Sequence, residues 1–145
     1  MADDEMDVEQ VLETLNAALV LQQRSALQYS LTAGSTVGFE FQFLTNQFWS
    51  FAQAELEDAR KLVEKISALG GQPITEVAPL KWSSDSMEAA QFLVDTETQA
   101  IDAMKEVIPH TGQEGRSEAL EHLLEHIIMR KQNQVDFLLR ACRKM

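Results

Sequence analysis

The stretch Gly70-Gly71-Gln72-Pro73, with the eleven residues after it, constrains this chain more than any other feature. The segment before it carries an apolar stripe of Phe41, Leu44, Phe48, Phe51, Ala59, Leu62, Ile66 and Leu69, at steps of three and four. "FEFQF" (39–43) alternates like a strand for five residues. The three-to-four period continues for about seven turns, so a helix over about 37–69 is expected, and Gly-Gly-Gln-Pro ends it. Such a helix has about 33 residues and a length of about 50 Å. The 15 residues of 70–84 span about 50 Å when extended. That is far more than a hairpin needs and just enough to run the length of a bundle. Trp82 is expected to anchor this link to the core.

Three further segments repeat the helical period. The first, about 7–33, has Val8, Val11, Leu12, Leu15, Leu19, Ala26 and Tyr29, with Asp7 and Gln10 as a capping box and Gly34 as a stop. The third, about 85–108, has Met87, Ala90, Val94, Ile101, Met104 and Ile108, between a cap at Asp85 and Glu88 and a stop at Pro109. The fourth, about 113–143, has Leu120, Leu124, Ile127, Leu138 and Cys142. The links 34–38 and 109–112 are short, as between antiparallel neighbours. The expected architecture is all-α: a four-helix bundle of two antiparallel hairpins joined by one long crossover, one domain over 1–145.

Bulk properties exclude several functions. With 145 residues, 45% of them hydrophobic, the chain can bury one sizeable core. A net charge of −11 repels phosphates, which argues against nucleic acid or an anionic membrane surface. It attracts cations, although an acidic surface serves solubility by default. No apolar run approaches the ~18 residues of a membrane span, and the acidic start "MADDEMDVEQ" is unlike a secretory signal. The single Cys142 forms no intrachain disulfide and no zinc spacing, so a cytoplasmic location is expected.

Each stripe is interrupted near its middle by a polar residue. The steps put Gln22 on the core face of the first helix and Glu55, with Asp58 beside it, on that of the second. They put Glu97 on the third, and Lys131 with Gln134 on the fourth. A single polar residue on a core face is commonplace, because long side chains snorkel. Four interruptions at comparable depth are not. Buried charge is costly unless paired or metal-bound, so these groups are expected to meet in the bundle centre.

The stretches "LNAALVLQQRSALQY" (15–29), "ELEDARKLVEKISALGG" (55–71) and "QVDFL" (134–138) resemble the bacterioferritin branch of the ferritin-like superfamily, over nearly the whole chain. The resemblance implies iron storage or iron binding. It also implies a di-iron centre to which one helix of each hairpin gives a Glu and the other gives Glu-x-x-His. Carried over by position, Gln22 stands at the first Glu, and Glu55 matches its Glu while Asp58 replaces the His. Glu97 matches the third carboxylate, and Lys131 and Gln134 replace the second Glu-x-x-His. Leu56 stands at the Met that binds haem in some members, so no haem is expected. Only eleven residues follow Gln134, short of the fifth helix that lines a pore of the family's 24-subunit shell. A dimer is expected in place of the shell.

An ammonium has no lone pair and repels a metal. The leading expectation is that Lys131 fills the metal's place, within hydrogen-bond reach of Glu55 or Glu97, and leaves a degenerate ferroxidase. Three carboxylates against one lysine leave a formal charge of −2, which a proton, water or one cation must offset. A mononuclear site of Glu55, Asp58 and Glu97, helped by the amide oxygens of Gln22 or Gln134, would take a single hard cation such as Mg, Ca, Mn or Fe. That reading makes the chain a metal-dependent oxidase or peroxidase; a third makes it a non-metal scaffold acting at its surface. The plainer readings of these residues are local. Asp58 can pair with Arg60, Lys61 or Lys65 on its own helix. Gln22 and Gln134 can bond each other, and His122 and His126 fit a solvated face. Phe39 and Phe43, off the main stripe, would mark a dimer face.

Overall fold

The computed structural model describes residues 5–143; the ends of the expected 1–145 domain, 1–4 and 144–145, lie outside the described residues. Four helices account for most of it: α1 Val8–Ser35, α2 Thr45–Ala68, α3 Ser86–Lys105 and α4 Gly115–Cys142. Single 3-10 turns stand at Gln42–Leu44 and Ile108–His110. Helix α1 packs on α2 and α3, and α3 packs on α4, whereas α2 and α4 are neighbours with little close backbone approach. No helix among the described residues is long and apolar enough to cross a membrane.

The helix ends follow local chemistry. Asp7 and Asp85 cap α1 and α3, accepting hydrogen bonds from the backbone N–H of Gln10 (3.2 Å) and of Met87 (3.0 Å). Gly70 ends α2 with φ +84°, where its N–H and that of Gly71 reach the carbonyls of Ser67 and Ile66. Pro109 lacks an N–H and stops α3 at Lys105, short of the expected 108. Helix α1 runs past Gly34 to Ser35, and Thr36 closes it.

The largest departure is the start of α2, expected near 37 and found at Thr45. Gly38 turns the chain with φ +101°, the N–H of Phe41 reaches its carbonyl, and the Gln42 side chain bonds the Thr36 carbonyl at 2.8 Å. These turn bonds use the groups an α-helix needs, so "FEFQF" forms neither strand nor α-helix, and its last two residues enter the 3-10 turn. Phe39 and Phe43 are exposed, whereas Leu44 and Phe48 are buried.

The crossover runs beside α1 and is fixed by backbone capture, not by Trp82. The Asn16 side chain accepts from Ile74 N–H at 2.9 Å and donates to the Gln72 carbonyl at 3.1 Å. Three turns further on, Gln28 does the same to Lys81, accepting at 3.1 Å and donating at 2.7 Å. With its backbone held at both places the strap needs no apolar anchor, and Trp82 is 62% exposed.

The apolar core is in two parts. One contains Val11, Leu15, Leu19, Leu62, Ile66, Met104, Leu120 and Leu124; the other contains Tyr29, Leu44, Phe48, Ala52, Leu93 and Leu138. Between them, along every helix, lies the polar layer. Leu93, not Val94, is the fully buried residue of α3 beside that layer.

Candidate functional site

Gln22, Glu55, Glu97 and Lys131 have no exposure, Gln134 has 4% and Asp58 has 6%. All six interruptions therefore lie in the interior, where an unpaired charge is costly.

Lys131 reaches the centre from α4. Its Nζ lies 2.6 Å from Glu55 Oε2 and 2.7 Å from Glu97 Oε1, joining α2 to α3. One turn further, Gln134 Nε2 donates to Glu55 Oε1 and to Glu97 Oε2, each at 2.8 Å. The amide thus bridges the same carboxylates on their other oxygens. From α1, Gln22 Nε2 donates to Glu55 Oε2 at 2.5 Å and to the Glu55 carbonyl at 2.9 Å. Gln22 and Gln134 do not bond each other; both turn their NH2 groups towards carboxylates.

Asp58 faces α4 and forms its main ion pair with Arg130, accepting from Nε at 2.7 Å and also from Nη2. Arg130 Nη1 donates to Gln134 Oε1, which orients that amide. Of the cations expected on its own helix, only Lys61 comes near Asp58, at 3.9 Å; Arg60 pairs with Glu57 and Glu64. Arg130 was not among the residues expected from sequence. The signal was present: it precedes Lys131, stands four before Gln134, and lies on the edge of the α4 stripe, as Asp58 does on α2. The Tyr29 hydroxyl, 3.4 Å from Gln134 Nε2, is the other polar group the apolar stripe concealed.

The charges divide unevenly. Lys131 and Arg130 against three carboxylates leave one negative charge. Burial pushes Glu97 up; Lys131 opposes this, Glu55 adds to it, and its carboxyl settles at about 7. Burial also pushes Glu55 up, but Lys131, the hydrogen bond with Glu97, and Arg130 outweigh it and hold the group below the ordinary carboxylate range. Glu55 is thus the ionised member and Glu97 the one that takes a proton. Burial, with the two carboxylates, keeps the Tyr29 hydroxyl protonated.

Among the described residues, no group of three or more His, Cys, Asp and Glu side chains is arranged to hold a metal. His122 lies 3.5 Å from Glu118 on the exposed face of α4, and His126 is exposed there too. Leu56 points outwards, 48% exposed.

The fold is shared with solved structures. A ferritin-like, diiron-carboxylate protein from Bacillus anthracis str. Ames superposes with a TM-score of 0.88 at 26% identity, over 94% of this chain and 98% of that one. Rhodobacter capsulatus bacterioferritin, in a form with a metal-free dinuclear site and haem iron, gives 0.83 at 22% identity, over 95% and 86%. A dodecameric thioferritin, the bacterioferritin-related protein of Bacteroides fragilis, gives 0.84 at 20% identity, over 94% and 86%. No curated protein sequence matches. Residues 12–145 match the ferritin family as a ferritin-like domain, and with the bundle and its crossover this places the chain in that family.

Proposed function

We propose that this chain is a ferritin-like subunit without ferroxidase activity, whose di-iron centre has been replaced by an internal ion-pair network. The carrying observation is Lys131 Nζ donating to both Glu55 and Glu97. In the family pattern those carboxylates hold metal. Here they accept N–H donors on both oxygens, and a fixed positive charge stands between them. A dication placed there would meet an ammonium. Gln22 and Gln134 offer NH2 groups where oxygen or imidazole donors would be needed. The residues present do not fit a di-iron group, and the same donors oppose a single-cation site of Glu55, Asp58 and Glu97.

The network has a structural role: it pairs the buried charges between the two apolar clusters and ties α1, α2, α3 and α4 together. With Leu56 at the haem position, no haem is proposed. The acidic chain is proposed to act as a homo-oligomer, a dimer rather than a 24-subunit shell, with no nucleic-acid or membrane partner and a cytoplasmic location. The scaffold reading is favoured over the metal-enzyme reading because every oxygen of Glu55 and Glu97 already accepts an N–H donor.

Aerobic Fe(II) oxidation by the purified protein tests this. The expected rate equals that of the buffer blank. Oxygen-dependent turnover that scales with protein concentration overturns the proposal.

A further inference from the structure

We propose that the groove between α2 and α4 binds a small organic monocarboxylate with a flat apolar body, of the arylalkanoate class. The groove borders the polar centre, sharing Gln134 and Arg130 with it, but its binding end lies at Arg140, further along α4.

The groove has a volume of ≈ 440 Å³, within the range of small-molecule sites. It opens between α2 and α4, whose backbones approach each other little. The chain carries 23 acidic residues against 12 basic ones, yet this groove is lined by Arg130 and Arg140 and by no Asp or Glu. The lining itself thus offers cations and no carboxylate to an anion that enters it.

The two guanidinium groups are in different states. Arg130 is neutralised by Asp58 and spends a further N–H on Gln134. Arg140 has no carboxylate within ion-pair distance among the described residues. The Arg140 end of the groove therefore has one positive charge to offset, which matches a monoanion better than a phosphate dianion. Gln47 and Asn133 also line it and make no side-chain hydrogen bond among the described residues, so their NH2 groups can serve the second oxygen of a carboxylate.

The rest of the lining selects an organic anion over an inorganic one. Phe51 and Phe137 form an edge-to-face pair, centroids 5.4 Å apart at 89°, and both are only partly buried. A flat ring can pack against this pair while its carboxylate reaches Arg140.

The test is calorimetric titration of the full chain with phenylacetate. One saturable site is expected. Arg140→Met should weaken it about tenfold, as expected for loss of a charged hydrogen bond. Arg140 is exposed, so this variant should keep its thermal midpoint. Phenylacetamide, which lacks the charge, and acetate, which lacks the ring, should each bind at least as weakly. Three results overturn the proposal: no saturable phenylacetate binding at millimolar concentration, equal binding by Arg140→Met, or equal binding of phenylacetamide, acetate or inorganic phosphate.

Discussion

Lys131→Met is expected to lower the free energy of unfolding by about 3–5 kcal/mol, the usual result of removing one partner of a buried ion pair. Met keeps most of the side-chain volume, so little of the loss comes from a cavity. What is lost is the charge that Glu55 and Glu97 share, both of them without exposure. Arg130 does not substitute, because it is already paired with Asp58 and reaches Glu55 but not Glu97 among its ion pairs. Urea denaturation reads the effect as a lower midpoint at an unchanged slope. A loss below about 1 kcal/mol, the level of an exposed pair, would mean that Lys131 is not the counter-charge of the centre.

The second large effect is on pH dependence. Glu97 has an ordinary value of 4.5 and titrates at about 7 in the folded chain. Between those values the native state binds more protons than the unfolded state, so stability falls as pH rises through that window and levels off above it. The fall is on the order of 3 kcal/mol. Glu55 acts in the opposite sense. Its folded value is lowered, so its contribution is present above the ordinary carboxylate value and disappears as pH falls through the lowered one. From these two groups, stability should therefore peak near their ordinary value of 4.5 and fall above it. Glu97→Gln, a neutral isostere of the protonated acid, should remove the slope above that peak. Unfolding free energies measured from pH 4 to 8 check both statements; a wild-type curve that climbs steadily from pH 5 to 7 would contradict them.

Much of this was legible from one-dimensional periodicity. The number of helices, the crossover and the depth of the polar layer follow from where stripes run, stop and break. Gln22, Glu55, Glu97, Lys131 and Gln134 were each found by a missing apolar residue and Asp58 by its place beside Glu55, and all six are buried. Three things were hidden, for different reasons. Arg130 sits on the edge of the α4 stripe, where a long polar residue usually faces water, and only the approach of Asp58 on α2 turns it inward. The late start of α2 depends on turn bonds around Gly38, which compete with the helix at short range. The capture of the strap by Asn16 and Gln28 joins residues more than fifty positions apart, with no periodic signature. In that case the apolar cue, Trp82, pointed to the wrong anchor.

The central claim is that a lysine ammonium occupies the place of a cation between Glu55 and Glu97. Anaerobic Fe(II) titration by calorimetry, on the wild-type chain and on Glu55→Gln, tests it most directly. The predicted result is no stoichiometric Fe(II) site in the wild type, and weak surface binding that Glu55→Gln leaves unchanged. One or two tightly bound Fe(II) ions per subunit, lost in Glu55→Gln, would contradict it.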